Sequence, residues 1–258
     1  MSMFTSSAFW QGRLKAAGIH LAISLAVAGL AALLVFLVWY PYPYREISGG
    51  RELFLLLVAV DVVMGPLLTL AVFNRNKPKR QMRFDFLVIG LLQLSALAYG
   101  LWTVAAARPV HLVFVVDRFE VVHAVDVDMS AIAKAPPDLQ AMPIWGPTKL
   151  TLRDYKDNKE KSDVMFAELS GVNVSVRPEF WQSYDKGKPQ VLAKAKAVNE
   201  LIAKFPAKAS EIKSMVDRSK TDISSIGFLP LKGRNQFWTV LTDLKTAEPI
   251  GYLPLDPY

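Results

Sequence analysis

The sequence predicts a membrane protein in which three transmembrane helices are followed by a C-terminal α+β domain with a largely antiparallel sheet. The 258 residues have a mean hydropathy of +0.24 although 21% of them are charged, which indicates a very apolar part joined to an ordinary one. The charges divide in the same way. Residues 1–108 contain 10 lysines and arginines against 4 acidic residues, whereas residues 109–258 contain 20 against 19. We therefore expect a membrane domain over 1–108 and a second domain over 109–258.

Three apolar runs predict the membrane spans, at about residues 16–40, 53–73 and 86–107. Each is long enough for a hydrocarbon core that needs about 20 helical residues, and only Asp61 brings a charge into any of them. None has the polar stripe of a soluble amphipathic helix. The first run is too long for a signal peptide and ends in the aromatic-rich segment Trp39–Tyr44. We expect it to be a retained anchor whose aromatic residues lie at the membrane interface.

The short segment 74–83 predicts the orientation of the chain. It contains no acidic residue and five basic ones, Arg75, Lys77, Lys79, Arg80 and Arg83. Positively charged loops remain in the cytoplasm, so we expect a cytoplasmic N-terminus and a periplasmic domain over 109–258, in the inner membrane of a bacterium. Docking of this segment to acidic lipid or to a cytoplasmic partner is the alternative interpretation.

Asp61 is the most unusual residue of the spans. It lies near the middle of the second span, where an ionised carboxylate costs about 2.5–3.5 kcal/mol on insertion scales. Gln93 lies near the middle of the third span, so we expect an Asp61–Gln93 hydrogen bond. Gly65 and Pro66 follow Asp61, and because proline lacks an N–H we expect a kink and a free carbonyl there.

The polar residues of the spans have three interpretations. They hold the three helices together, they recognise another transmembrane helix, or they form a proton relay or an intramembrane protease. A two-aspartate protease needs both acids at one depth, and Asp85 is too close to the edge of the membrane. We expect Asp85 to pair instead with His20, which lies at a similar level.

The C-terminal domain shows strand patterns first, then helix patterns, then strand patterns again. Strands are predicted at 110–116 and 119–125, as a hairpin, and at 226–231, 237–243 and 250–255, as a meander. Amphipathic helices are predicted at 188–205 and 210–218. A compact α+β domain with a largely antiparallel sheet accounts for this order.

No motif in the sequence predicts catalysis. There is no glycine-rich phosphate loop, no G-x-S-x-G and no H-E-x-x-H, and the chain has no cysteine and three histidines, which argues against a metal site. We therefore expect no catalytic residue, no cofactor and no metal. The excess of basic residues lies in the membrane part, so no nucleic-acid partner is expected. A membrane enzyme built on His123, Asp126 and Asp128 is a minor alternative.

Two pairs of aromatic residues stand out in the second domain, Phe180-Trp181 and Phe237-Trp238. Core or edge packing is the simpler interpretation, and exposed aromatic side chains that bind a partner are the alternative.

The chain resembles the type IV pilin accessory proteins of the TfpX/TfpZ group over nearly its whole length. The matching residues are Pro43-Tyr44 with Ser48-Gly49-Gly50, the run from Asp61 to Leu70, Phe73 with the basic residues after it, Gln93 with Ala98-Tyr99-Gly100, Arg108-Pro109-Val110 with Phe114 and Asp117-Arg118-Phe119, and the run from Gly251 to Pro257. The resemblance implies an inner-membrane protein with a periplasmic domain that assists assembly or surface display of a cognate type IV pilin. It implies no catalytic residues.

This resemblance suggests which part of the pilin each of the two domains contacts. The face formed by Asp61, Gly65, Pro66 and Gln93 would meet the transmembrane helix of the pilin, and a sheet edge or Phe237-Trp238 would meet its head domain. Two weak contacts on one body reinforce each other through effective concentration. The expected partners are the pilin and inner-membrane lipid. A membrane-anchored ligand-binding sensor or a small transport component is the alternative function.

Overall fold

The computed structural model describes residues 7–74, 77–234 and 236–258, so Arg75 of the basic segment lies outside the described residues. The chain divides into two compact units. The helical unit runs up to Tyr42 and resumes over Gly49–Ala106; the C-terminal unit comprises Pro43–Ser48 and Ala107–Tyr258. This division differs from the one at residue 108 because the segment Pro43–Ser48 packs with the C-terminal unit.

The first part of the chain is helical. Its elements are α1 (Ser7–Leu33), which continues as a π-helical turn over Leu34–Trp39, the one-turn helix α2 (Tyr44–Ile47) of the C-terminal unit, α3 (Gly50–Val72) and α4 (Lys79–Ala106). Within the described residues, α1 with its π-helical turn, α3 and α4 are the three helices long and apolar enough to cross a membrane, which confirms the three predicted apolar helices. Helix α3 is central, since α1 and α4 both pack along it and make few contacts with each other.

The helical unit turns apolar side chains outward. Leu30, Leu56 and Trp102 expose 69%, 69% and 66% of their surface, although each is large and apolar. Water would penalise such a surface, whereas lipid would not. The three helices are therefore compatible with insertion in a membrane.

The C-terminal unit is built on one sheet. Its strands are β1 (Pro109–Val115), β2 (Arg118–His123), β3 (Thr148–Leu152), β4 (Trp181–Ser183), β5 (Lys196–Ala197), β6 (Ile226–Lys232), β7 (Phe237–Asp243) and β8 (Pro249–Leu253). Their order is β4-β3-β1-β2-β6-β7-β8, and β5 pairs with part of β6. The helices of this unit after α2 are α5 (Asn158–Leu169), α6 (Tyr184–Lys194), α7 (Val198–Lys204) and α8 (Ala209–Ser219).

The sheet is mixed, so the expectation of a largely antiparallel sheet was wrong. Strand β3 pairs parallel with β1, and β6 pairs parallel with β2. Parallel neighbours need a long crossover connection. Here the chain passes from β1 to β3 through β2 and the stretch after it, and from β2 to β6 through all the elements from β3 to α8. The predicted hairpin and meander are present as β1–β2 and β6–β7–β8, because they connect neighbours in sequence.

The helix predicted over 188–205 is interrupted. Helix α6 ends at Lys194, the two residues of β5 pair with β6, and α7 begins at Val198. Gly227 on β6 permits this approach, because the backbone carbonyl of Lys196 lies 3.1 Å from the point where a Cβ of residue 227 would be. Pairing with the sheet thus overrides the helical pattern of the sequence.

The segment Pro43–Ser48 supplies part of the core of the C-terminal unit. Tyr44 and Ile47 are buried in one hydrophobic cluster with residues of β1, β2, β6 and β7. The hydroxyl groups of Tyr44 and Tyr252 lie 3.3 Å apart, and the backbone N–H of Arg234 donates to the carbonyl of Ile47 at 3.1 Å. Tyr44 was expected at the membrane interface, so this placement corrects that expectation.

Candidate functional site

A polar network joins the three long helices from within. His20 of α1 lies between Thr69 of α3, with 2.5 Å from its Nδ1 to the threonine Oγ1, and Gln93 of α4, with 2.6 Å from its Nε2 to the glutamine Oε1. Because the glutamine oxygen only accepts, Nε2 carries the proton and Nδ1 accepts from the hydroxyl of Thr69 in the neutral ring. One histidine therefore connects all three helices.

Gln93 completes this network on α3. Its Nε2 donates to the backbone carbonyl of Asp61 at 3.1 Å. Its amide group lies against Gly65, where any Cβ would overlap it. Gly65 is thus needed for the approach of α4. Pro66 lies within α3, where its missing N–H leaves the carbonyl of Val62 without its usual helical donor.

The structure changes two details predicted for the spans. Gln93 bonds to the backbone of Asp61 and not to its carboxylate. The pairing predicted between His20 and Asp85 was wrong, because Asp85 accepts from Lys77 Nζ at 2.8 Å and His20 is engaged inside the unit. Thr69 was missed by sequence reasoning.

A cavity of about 200 Å³ lies between α1, α3 and α4. Its walls are apolar except for His20, Ser24, Asp61 and Gln93. Asp61 lines this cavity, and among the described residues nothing donates a hydrogen bond to its carboxylate. The mostly apolar wall of the cavity therefore includes one acidic residue whose carboxylate the polar network does not use.

The two aromatic residues predicted to contact the head domain of a pilin, Phe237 and Trp238, have different surroundings. Trp238 is 5% exposed and belongs to the core cluster that contains Tyr44 and Ile47. Phe237 is half-buried, and its ring lies edge-on to that of Tyr258 at 5.1 Å. The predicted site residues thus form two groups, one in each unit, and Phe237 is the more exposed of its pair.

The residues of the alternative enzyme site are engaged locally. His123 Nδ1 lies 3.4 Å from Asp126 Oδ2, and the carboxylate of Asp128 accepts from the N–H and hydroxyl of Ser130 as a helix cap. In the part of the chain that the structure describes, no cluster of three or more histidine or acidic side chains is placed to hold a metal.

Together these features define a class of protein: apolar helices tied by an internal polar network and joined to a mixed α/β unit. The chain belongs to the fimbrial assembly protein family. It is 34% identical over 231 residues to "Fimbrial assembly protein, serogroup I" of Dichelobacter nodosus, and 32% identical over 231 residues to the serogroup E1 protein of that organism. Each alignment covers 89% of this chain and 90% of the relative.

Two further comparisons complete this assignment. The protein of serogroups C1 and C2 of the same organism is 41% identical over 121 residues, which is 47% of this chain and 92% of that relative. The family model described as "Fimbrial assembly protein FimB" matches residues 8–49. No solved structure is significantly similar to the chain.

Proposed function

We propose that the protein assists the assembly or surface display of a cognate type IV pilin, as a non-enzymatic protein of the bacterial inner membrane. Membership in a family named for fimbrial assembly supports this role, and so does the resemblance to the TfpX/TfpZ accessory group. The basic residues around the start of α4, Lys77 and Lys79 among them, favour a cytoplasmic N-terminus and a periplasmic C-terminal unit.

The Asp61 carboxylate carries the proposal for a pilin contact. An ionised carboxylate in hydrocarbon is costly unless it gains a donor, and the polar network uses only the backbone of Asp61. A pilin awaiting assembly is anchored by a transmembrane helix. In our proposal this helix packs over the cavity, which we call the cleft between α1 and α4, and one of its side chains enters the cleft and supplies that donor.

The other polar residues have a supporting role in this scheme. His20, Thr69 and Gln93 satisfy one another and keep α1 and α4 on α3. Gly65 makes room for the Gln93 amide. They fix the walls of the cleft, whereas Asp61 is available to the incoming helix.

The C-terminal unit supplies the second contact in this proposal, to the head domain of the pilin. Phe237 is half-buried and is the more exposed residue of the Phe237-Trp238 pair, whereas Trp238 belongs to the core. A partner held at two places gains affinity without any new contact, through effective concentration.

Site-specific photo-crosslinking in cells that make both proteins tests the helix contact. A benzophenone side chain at Val27, which lines the cavity, should capture the pilin. The same group at Leu25, an exposed neighbour outside the cavity wall, is the matched control and should not. If Val27 captures no pilin, or if both positions capture it equally, the pilin helix does not use this cleft.

A pair of glycine variants tests the same cleft by blocking it. Gly90 lines the cavity, and a Cβ there meets nothing within 4 Å, so Gly90→Leu should fill the cleft without disturbing the bundle. Gly29 is equally open but lies outside the cavity wall. We expect Gly90→Leu to abolish capture of the pilin from Val27 and Gly29→Leu to preserve it, at equal protein abundance.

A further inference from the structure

The C-terminal unit contains a second cavity, of about 460 Å³, that no sequence motif indicates. Binding pockets for small ligands typically measure about 300–1,000 Å³. The walls come from distant parts of the chain, including Glu120 and His123 of β2, Asn173 and Ser175 before β4, and Lys232 at the end of β6. The cavity is polar, in contrast to the one in the helical unit.

The cavity lies beside an open strand edge. Successive side chains of a strand point to opposite faces, and the cavity is lined by both Glu120 and Val121 of β2 as well as by Gly233 and Arg234, which follow β6. On that edge β6 pairs with β2 only at Phe119 and Glu120, and β6 ends at Lys232. Among the described residues no strand pairs with Val121–His123 on this side.

The charged groups of the cavity compensate one another. The Glu120 side chain is 5% exposed, accepts from Ser175 Oγ at 2.8 Å and forms an ion pair with Arg118 Nη2 at 2.9 Å. Lys232 Nζ lies 4.0 Å from the same carboxylate. The site is therefore better suited to a polar, uncharged ligand surface than to a strongly charged small molecule.

His123 has an unused polar atom at this edge. The residue is 6% exposed, its Nδ1 faces Asp126, and its Nε2 is buried without a partner in the part of the chain that is described. Leaving such a group unsatisfied costs about 1–3 kcal/mol. A ligand whose binding uncovers Nε2 and brings a hydrogen-bonding group to it recovers this free energy.

We propose that this cavity binds an extended peptide segment, which adds a strand beside Val121–His123 where β6 has ended. In strand addition, backbone N–H and C=O groups provide affinity and pockets for side chains provide specificity. Here the His123 ring would form a hydrogen bond with one polar side chain of the peptide. The inference rests on the proposed function, because it takes the segment to belong to the head domain of the pilin.

Binding of synthetic peptides to the full-length protein in detergent tests this proposal. Overlapping fluorescein-labelled 12-residue peptides that cover the pilin head domain are titrated and followed by fluorescence anisotropy. We expect one peptide, or adjacent overlapping ones, to bind. Asn173→Trp, at an exposed position on the wall, should weaken that binding at least tenfold, and Ser214→Trp, exposed on α8 away from the cavity, should leave it unchanged.

The outcomes separate this proposal from the proposed function. If no peptide binds, or if Asn173→Trp binds the peptides as the unchanged protein does, the peptide site is refuted. The proposed function still stands in that case, provided that Val27 captures the pilin. If Val27 captures no pilin and no peptide binds, both fail.

Discussion

The two units place polar and apolar side chains in opposite ways. In the helical unit His20, Thr69 and Gln93 are bonded inside, while large apolar residues face outward. In the C-terminal unit the apolar residues form the core, and ion pairs such as Arg153–Glu160 lie toward the surface. The surfaces of the two units are thus compatible with two different solvents. A polar residue in the interior ties helices together in the helical unit and is an exception in the C-terminal unit.

The largest expected effect tests whether Pro43–Ser48 belongs energetically to the C-terminal core. Ile47 is 2% exposed, so Ile47→Ala should destabilise the C-terminal unit by about 2–5 kcal/mol, the usual loss for such a core truncation. Leu169→Ala is the control, because Leu169 is 83% exposed. Urea unfolding followed by proteolysis of the C-terminal unit measures both variants. Equal losses of stability in the two variants would show that Pro43–Ser48 does not contribute to the stability of the C-terminal core.

The second prediction concerns His111, a polar exception in the core of the C-terminal unit. Its Nδ1 lies 2.7 Å from Thr148 Oγ1, and burial lowers the pKa of the ring from 6.5 to about 4. The unfolded chain takes up a proton below pH 6.5 and the folded unit does not until about pH 4. Stability should therefore fall from pH 6.5 to pH 4, by up to about 3 kcal/mol.

Unfolding by urea across this pH range measures that loss. His111→Gln should show a smaller slope than the unchanged protein, because other groups contribute equally in both. Identical slopes would mean that His111 is protonated in the folded unit as readily as in the unfolded chain.

The third prediction separates two roles of polar residues in the helical unit: holding the three helices together and contacting the pilin helix. Gln93→Leu removes the bonds to His20 and to the Asp61 carbonyl and should cost about 1–2 kcal/mol, as measured for hydrogen bonds between helices in model membranes. Asp61→Leu keeps those bonds and should leave stability unchanged while impairing pilin capture. The midpoint of thermal unfolding in detergent distinguishes them. An equal loss for Asp61→Leu would assign Asp61 to cohesion.

The smallest expected effect tests an exposed feature of the C-terminal unit. Asp157 caps α5, since its Oδ1 accepts from the Glu160 N–H at 2.7 Å. Asp157→Ala should weaken α5 by about 1 kcal/mol, the typical cost of losing such a cap. Amide hydrogen exchange within α5 reports this opening. Asn158→Ala, at the next exposed position, should leave exchange unchanged.

The parts of the fold that the sequence predicted are those that depend on local pattern. The long apolar runs predicted the three helices, and β-branched runs joined by short turns predicted β1–β2 and β6–β7–β8. The parallel pairings and strand β5 depend on residues far apart in the chain. Lys196 continues the helical pattern, so its pairing beside Gly227 has no local signal.

The candidate site was predictable where a residue contrasts with its surroundings. Asp61 and Gln93 are conspicuous in apolar segments, whereas Thr69 is common enough in such segments to pass unnoticed. Its spacing was the available signal, because Asp61, Gly65 and Thr69 are four residues apart along one face of α3. The polar cavity had no such signal, since Glu120, Ser175 and Lys232 come together only in the folded C-terminal unit.

The pairing of Tyr44 with Tyr252 has a consequence for biosynthesis, because 208 positions separate them in the chain. A ribosome that adds about 5–20 residues per second needs about 10–40 s to pass from one to the other. Until then the cluster that buries Tyr44 and Ile47 is incomplete. Strand β8, which contains Tyr252, therefore completes the surroundings of a segment that is synthesised early.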